Sequence, residues 1–228
     1  MSKKILIMVL SYNQPPYDSL MRAQVDTFDS IPCEDVNTLF YYGSSERSQH
    51  HKIIRQHHKS TSHELQVPFT DAYYLMGGKM KMALDYVKDW EYDIIFRTNS
   101  SSYTQKEKLV EFAATLPKEK LYAGWEIEGN AGYNVVSGAG IFMSRDVAEI
   151  LRQDIDPEFE REEDCVIAEI ISRYPEIKII DDKSRFDYPQ DLVNSRSIHD
   201  AYHIRFKTGD RLQDAENMRL VHQQIINQ

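Results

Sequence analysis

The chain has 228 residues, 41% of them hydrophobic and 28% charged, which is the composition of a globular protein and excludes the fibrous and disordered classes. Its formal net charge of -9 makes non-specific attraction to nucleic acid or to an anionic membrane unexpected, while leaving room for a local basic patch. The length predicts one domain spanning residues 1–228, with a small C-terminal extension over about residues 181–228.

Two cysteines, Cys33 and Cys165, lie far apart and form no Cys-x-x-Cys pair, which predicts reduced thiols in the cytoplasm. The basic start Met1–Lys4 leads into an apolar run, Ile5–Leu10, that is too short for the core of a secretory signal or for a membrane span. We therefore expect a cytoplasmic protein without a membrane-spanning segment.

Short apolar or β-branched runs bounded by turn-forming residues predict strands, and apolar residues spaced three or four apart predict helices. In chain order these patterns predict strand Lys4–Leu10, helix Tyr17–Phe28, strand Val36–Tyr42, strand Glu64–Phe69, helix Lys79–Lys88, strand Ile94–Phe96, helix Gln105–Thr115, strand Leu121–Trp125, strand Asn134–Phe142, helix Ser144–Leu151, helix Val166–Ile171, strand Ile177–Ile180, strand Ala201–Lys207 and helix Asp214–Ile226. Strands that alternate with helices are typical of an α/β fold, with a Rossmann-like, mostly parallel central sheet flanked by helices.

A histidine-rich polar stretch, Glu46–Lys59, is predicted to form a charged surface helix. It contains His50, His51, His57 and His58. His50 and His57 would share one face of such a helix, a spacing that a metal site could use. No cysteine or carboxylate joins them at ligand spacing, and lysines and arginines surround them, so the surface helix is the favoured interpretation.

The stretch Asp93–Tyr103 carries the strongest functional signal. Its apolar strand Ile94–Phe96 is predicted to stop at Arg97, where the polar run Thr98–Ser102 begins. The carboxyl ends of strands are where ligands bind in α/β proteins. The alternative, a helix whose N-cap is one of the serines, explains only one of these polar residues, so we favour a ligand-binding turn.

Two further segments carry polar residues toward the same expected edge. Ser11, Tyr12 and Asn13 follow the first strand, where the tyrosine could stack on a flat base and the asparagine could hydrogen-bond to it, or all three could be ordinary loop residues. Lys79 and Lys81 lie in the first turn of their helix, where the helix dipole disfavours cations. That placement suggests an anionic partner, although exposed lysines explain it too.

Glycines and carboxylates mark the second half of the chain. Gly138 and Gly140 lie inside the predicted strand Asn134–Phe142, where glycine usually signals the close approach of a ligand or of another backbone. The third glycine of a dinucleotide fingerprint is missing. The acidic segment Asp154–Asp164 leads into a helix, so most of its carboxylates are ordinary caps, but at least one could be a general base.

Four segments in the same order make the chain resemble the GT-A fold nucleotide-sugar glycosyltransferases, and most closely the fringe-like β-galactosyl- and N-acetylglucosaminyltransferases and their bacterial and viral relatives. That family's metal motif reads lysine, one residue, three aspartates, one residue and an aromatic, and Arg97–Tyr103 looks like the same frame. The family's D-S-Y-x-N-L-T-x-K segment looks like Asp71–Lys79, its G-x-G strand followed by Ser-Arg-Asp looks like Ser137–Asp146, and its Glu-Asp pair looks like Glu163 and Asp164.

The resemblance spans about residues 4–180 and has one marked departure. The three acidic positions of the metal motif are Asn99, Ser100 and Ser101 here. Hard divalent cations prefer several anionic oxygens, so a Mn or Mg cofactor is doubtful, and we assign no metal ligand. Cations would then have to neutralise the leaving nucleoside diphosphate. The candidates are Lys79, Arg97, His203, Arg205, Lys207 and Arg211, although a surface strand of alternating charge explains the last four equally well.

The resemblance implies transfer of a sugar from a nucleotide-diphosphate sugar, a UDP-sugar first, to a hydroxyl of a glycan or polysaccharide precursor, with inversion. Asp164 would be the general base. The expected donor-binding residues are Ser11, Tyr12, Asn13, Lys79, Arg97, Asn99, Ser100, Ser101, Gly138, Ala139, Gly140, His203, Arg205, Lys207 and Arg211. The expected acceptor-binding residues are Trp125, Glu126 and Glu163.

Two alternatives stay open at this stage. A phage-type transferase acting on hydroxymethylated DNA bases would need a basic groove and a flipped-out base, and the clusters His50–Lys59 and Arg196–Arg211 could supply the cations. A non-catalytic protein that binds a sugar or a nucleotide sugar would have kept the fold and lost the metal aspartates. Asp164 counts against such a binder, which needs no carboxylate at that place.

Overall fold

A computed structural model gives the fold and describes residues 3–44, 52–56, 62–129, 133–183, 186–187 and 196–227. Its strands are β1 (Ile5–Leu10), β2 (Val36–Ser44), β3 (Lys52–Gln56), β4 (Ser62–Thr70), β5 (Ile94–Asn99), β6 (Ser102–Thr104), β7 (Leu121–Ile127), β8 (Val135–Ser144), β9 (Lys178–Asp181), β10 (Phe186–Asp187) and β11 (His203–Arg205). Its helices are α1 (Tyr17–Asp26), α2 (Met76–Val87), α3 (Lys106–Thr115), α4 (Arg145–Asp154), α5 (Glu163–Ile171) and α6 (Arg211–Ile226). Within these ranges, no helix combines the length and the apolar character needed to cross a membrane.

An eight-stranded sheet in the order β3-β4-β2-β1-β5-β8-β7-β9 forms the centre of the fold. Strands β1, β2, β4, β5, β7 and β9 run in one direction, and β3 and β8 run in the other. The predicted α/β fold with a mostly parallel sheet is therefore confirmed. The carboxyl ends of six strands meet at one edge, which is the edge where α/β proteins bind ligands.

Strand β1 is central because its side chains are apolar on both faces, and every residue of it is buried. Ile5, Ile7 and Val9 pack on one face with the buried sides of α1, α3 and α6. The alternate side chains, Leu6 and Met8 among them, pack on the other face with α2, α4 and α5. The period of two along the strand thus feeds two cores, one on each side of the sheet.

A small second sheet brings the C-terminal part of the chain to the edge of the large one. Its strand order is β10-β11-β6, and β11 pairs antiparallel with β6, with Ile204 opposite Tyr103. Because β6 follows β5 after a two-residue turn, this pairing places Arg205 beside the polar end of β5.

One prediction about local structure is wrong. The strand predicted to stop at Arg97 continues through Asn99, because Thr98 pairs with Val9 of β1 on one side and with Gly140 of β8 on the other. The serine N-cap, which was the alternative that the sequence did not favour, is not observed, since α3 begins after Gln105 without a side-chain cap.

The predicted surface helix Glu46–Lys59 is wrong where it can be tested, because Lys52–Gln56 forms a strand that pairs with β4. The rest of that stretch, including its four histidines, lies outside the described residues. Strand β3 pairs only with β4 in the described sheet and forms one outer edge of it.

Candidate functional site

Two adjoining cavities lie at the carboxyl ends of β1 and β5. We call them cavity A, of about 390 Å³, and cavity B, of about 290 Å³, and together they form the cleft. Leu10, Tyr73, Met76, Asn99 and Arg205 line both cavities and so mark the seam between them. Leu10 is the last residue of β1 and Asn99 is the last residue of β5. The polar end of β5 therefore faces a space large enough for a ligand.

Cavity A has an aromatic and hydroxyl-rich wall. Tyr12 packs edge-on against Tyr17, with ring centroids 5.6 Å apart and an interplanar angle of 81°. Ser11 is buried beside them. Its backbone N–H donates to the backbone carbonyl of Tyr41 at 2.9 Å, which continues the pairing of β1 with β2 into the loop. The other lining residues are Asp71, Ala72, Lys79, Ser100, Ser101 and Arg211. A flat ring with polar edges fits such a wall.

Lys79 lines cavity A but already has an anionic partner. Its ammonium forms a buried ion pair with Asp71, which lines the same cavity. The sequence suggested that this lysine faces an anion, and the structure supplies that anion from the chain itself. Asp71 thereby compensates for the placement of a cation in the first turn of α2.

Three of the predicted C-terminal cations line the cleft. Arg205 lies at the seam, Lys207 is exposed at cavity B, and Arg211 lines cavity A. The Arg211 guanidinium lies 5.5 Å from the Tyr17 ring centroid and donates to Asp214 at 2.9 Å. Of the cluster Arg196–Arg211, which kept a DNA acceptor under consideration, these three cations line the cleft.

His203 was predicted to be a cation of this group, and that prediction is wrong. The side chain is fully buried and lines neither cavity. Its Nε2 lies 3.2 Å from the hydroxyl of Thr98, and its ring meets the edge of Phe96. Burial, aided by the nearby charge of Arg205, lowers the pKa of His203 to about 3, so the imidazole is neutral.

Asp164 lines cavity B from the first turn of α5, where the helix dipole stabilises a carboxylate. Its Oδ2 accepts from the backbone N–H of Gly138 at 3.0 Å, and its Oδ1 accepts from the N–H of Cys165 at 3.0 Å. A Cβ atom at Gly138 would lie 2.9 Å from Oδ2. The glycine predicted to allow close approach therefore admits the carboxylate of Asp164 itself.

Arg97 and Glu163 form a buried ion pair in the wall of cavity B. Nε of Arg97 donates to Oε1 of Glu163 at 3.0 Å, Nη2 donates to Oε2, and Nη1 donates to the carbonyl of Gly138. Burial acts to lower the pKa of Arg97, but Glu163 and the Tyr41 hydroxyl outweigh it and hold that pKa above its usual range. Arg97 was expected to bind the donor phosphates and Glu163 to contact the acceptor. In the structure the two side chains bind each other instead.

The polar turn Asn99–Ser102 makes several hydrogen bonds within itself. Oδ1 of Asn99 accepts from the N–H of Ser101 at 3.2 Å, from its hydroxyl at 3.3 Å and from the Ser102 hydroxyl at 3.1 Å. Its Nδ2 donates to Gly138 at 3.2 Å. A neutral amide oxygen with three donors does not fit a hard divalent cation. In the part of the chain that the structure describes, no group of three or more His, Cys, Asp and Glu side chains is arranged to hold a metal.

Besides His203, four of the predicted site residues line neither cavity. Asn13 is exposed beyond Tyr12, and Gly140 is buried within β8. Trp125 lies under the ammonium of Lys183, 5.3 Å from the ring centroid, and Glu126 accepts from Asn134 at 2.6 Å. Ala139, by contrast, lines cavity B as predicted for the donor side.

Several cleft residues were not predicted. They are Tyr17, Asp71, Tyr73, Met76, Ser137 and Glu162. The segment Asp71–Lys79 was matched to a family motif, which was a usable signal for Asp71 and Tyr73. Tyr17 carried no such signal, because it reads as the first residue of an amphipathic helix.

The central sheet has six parallel strands, one antiparallel strand inserted next to β5 and a cleft at its carboxyl edge, and a solved glycosyltransferase shares this fold. Among solved structures, the chain is similar to the "Crystal structure of a glycosyltransferase involved in the glycosylation of the major capsid of PBCV-1", with a TM-score of 0.55 and 13% sequence identity, over 95% of this chain and 99% of that chain. No protein-family profile and no curated protein sequence matches the chain. The likeness shows the fold, and the resemblance to the fringe-like group stays a prediction.

Proposed function

We propose that this protein transfers a sugar from a nucleotide-diphosphate sugar to an acceptor hydroxyl. The observation that carries the proposal is the two-part cleft, in which an aromatic, cation-bearing cavity adjoins a cavity that contains Asp164. The likeness to a solved glycosyltransferase supports the same reaction class. A donor has two parts of different chemistry, a flat nucleoside and a sugar, and a diphosphate links them.

Cavity A suits the nucleoside, with Tyr12 as a stacking surface and Ser11 as a hydrogen-bonding neighbour. A UDP-sugar is the donor that we expect first. The diphosphate would then lie at the seam, within the field of Arg205 and close to Arg211. A guanidinium group can donate two parallel hydrogen bonds to the oxygens of one phosphate. Its charge stabilises the negative charge that develops on the leaving group. Lys207, exposed at cavity B, is a third cation for the same charge.

Cavity B suits the donor sugar and the acceptor hydroxyl. Ala139 has a small side chain there and leaves room for a sugar ring, while the space beside Gly138 holds the Asp164 carboxylate. Asp164 would accept the acceptor proton while the acceptor oxygen bonds to the anomeric carbon and the bond to the diphosphate oxygen breaks. Attack from the side opposite the leaving group inverts the anomeric centre.

The test replaces Asp164 with Asn, which keeps the side-chain size and removes the base. Turnover is measured as release of nucleoside diphosphate from a panel of UDP-, GDP- and TDP-sugars, with and without manganese. We expect Asp164→Asn to lower turnover by about a hundredfold or more, while donor affinity stays close to that of the wild type. Glu107→Gln is the matched control, because Glu107 is an exposed carboxylate in the first turn of α3, outside the cleft.

Wild-type turnover by Asp164→Asn would remove Asp164 from the role of base. A wild-type protein that binds these donors without any release or transfer would instead be a non-catalytic nucleotide-sugar binder. Failure of the wild type to bind any member of the panel would contradict the proposal as a whole.

A further inference from the structure

We propose that Tyr73 binds the pyranose ring of a neutral saccharide acceptor at the mouth of cavity B and presents one of its hydroxyls to Asp164. This inference rests on the proposed function, which it deepens by naming the acceptor class and its binding residue. None of the residues expected from the sequence to bind the acceptor gives cavity B an open aromatic surface.

Tyr73 stands at the seam of the cleft and exposes an unusual amount of ring. It belongs to a short 3-10 turn, Tyr73–Leu75, directly before α2, and it lines both cavities. Its exposed fraction is 63%. Tyr73 and the exposed Tyr74 next to it leave an aromatic surface open beside the two cavities, where a bound ligand would cover it.

The Tyr73 ring contacts the ring of the next residue. Tyr74, itself 54% exposed, meets it edge-on with ring centroids 5.1 Å apart and an interplanar angle of 87°. The carbonyl of Tyr74 accepts from the N–H of Arg161 at 2.9 Å. That bond ties the aromatic turn to the segment that leads into α5, so the ring and Asp164 are carried by connected parts of the backbone.

The chemistry around the Tyr73 hydroxyl matches a sugar. Burial, and then the nearby carboxylates of Glu162 and Asp164, raise the pKa of Tyr73, so its hydroxyl keeps its proton and can donate. A pyranose offers a face of polarised C–H groups, which an aromatic face attracts, and a rim of hydroxyls, which carboxylates accept from. Tyr73 supplies the first surface, and Glu162 with Asp164 supplies the second.

The charges in cavity B favour a neutral acceptor over a phosphodiester. Glu162 and Asp164 would repel a polyanion that approached the tyrosine. The cations of the same cavity, Arg205 and Lys207, are engaged by the donor diphosphate in the proposed complex. A glycan therefore fits this mouth better than DNA does.

The first test measures saccharide binding without turnover, by saturation-transfer NMR with methyl glucopyranosides, galactopyranosides and N-acetylglucosaminides. We expect signal with the wild type, most of it with Tyr73→Phe, which keeps the ring, and none with Tyr73→Ala. Leu220→Ala is the control, since Leu220 is a 49% exposed apolar residue on α6 that lines neither cavity. Because Tyr73 is exposed, thermal unfolding of all variants should match the wild type.

The second test uses turnover with the pyranoside that gives the strongest signal. Tyr73→Ala should raise KM for this acceptor about tenfold and raise KM for the donor less. Equal pyranoside signals from the wild type and Tyr73→Ala would overturn the inference, as would the absence of any pyranoside signal. Binding of a hydroxymethylcytosine oligodeoxynucleotide in place of pyranosides would assign a DNA acceptor instead.

The two proposals fail separately in these experiments. Nucleotide binding without Tyr73-dependent pyranoside binding overturns the acceptor inference alone. Tyr73-dependent pyranoside binding by a protein that binds no nucleotide sugar overturns the transferase proposal and leaves a saccharide-binding site.

Discussion

At the scale of single residues, the contact with Gly138 fixes the position of the Asp164 carboxylate, which is the candidate base. An added Cβ at Gly138 would lie 2.9 Å from Oδ2 of Asp164, and the flexible end of that carboxylate would have to turn away. We expect Gly138→Ala to lower turnover by about a hundredfold. Because only a side-chain end moves, the free energy of unfolding should fall by less than about 1 kcal/mol. Steady-state kinetics and urea unfolding measure the two quantities.

Gly77→Ala is the matched control for that substitution. The nearest atom to an added Cβ at Gly77 is Cγ2 of Ile155 at 3.7 Å, an ordinary contact inside helix α2. This variant should gain roughly 0.5–1 kcal/mol of stability and keep its turnover. If Gly138→Ala behaves as Gly77→Ala does, the position of Asp164 does not depend on that glycine.

His203 predicts a pH dependence of stability. Its pKa is about 3 in the folded protein and near 6.5 in the unfolded chain, so between these values the unfolded state binds the extra proton. Stability is therefore lost as the pH falls from about 6.5, by roughly 1.4 kcal/mol per pH unit from this one group. Urea unfolding of the wild type and of His203→Gln from pH 7 to pH 4.5 should show a flatter curve for the variant. Parallel curves would mean that His203 titrates normally in the fold.

At the scale of elements, the ion pair between Arg97 and Glu163 fastens strand β5 to helix α5. Removing the cation alone leaves a buried carboxylate, so Arg97→Met should cost about 3–5 kcal/mol of unfolding free energy. The double variant Arg97→Met with Glu163→Leu removes both charges and should recover most of that loss. Denaturant unfolding of both variants gives the comparison. A loss below about 1 kcal/mol in the single variant would show that water reaches this pair.

The elements themselves were largely predictable from local pattern. The apolar run of β1 predicts a buried strand, and the spacing of Met80, Ala83 and Leu84 predicts the buried face of α2. All of these residues are buried in the structure. The strand β5 was predicted too short, because its last residues are polar and their pairing with β1 and β8 is not a local property. The helix predicted over Glu46–Lys59 was wrong at β3 for a related reason, since its pairing with β4 overrides the local propensity.

At the scale of the whole molecule, the cleft is assembled from segments that are far apart in the chain. The sequence indicated which strand ends carry polar residues, because the alternation of strands and helices sets the direction of the strands. The sequence did not show which side chains would contact each other across long stretches of chain. Arg97 contacts Glu163, 66 residues away, and Thr98 contacts His203, 105 residues away. Residue types alone therefore predicted the edge and part of the cleft. They did not predict that Arg97 forms a buried ion pair in place of the expected phosphate clamp, because that pair joins segments that are distant in the chain.

The most direct measurement is a crystal structure with a nucleotide-sugar donor bound. The account predicts the nucleoside in cavity A beside Tyr12, the diphosphate within hydrogen-bond reach of Arg205 or Arg211, and the sugar in cavity B facing Asp164. A donor bound elsewhere would contradict it. The clearest contrary result would be a donor in the hollow of about 790 Å³ at the opposite edge of the sheet, which Tyr92, Arg145 and Glu149 help to line.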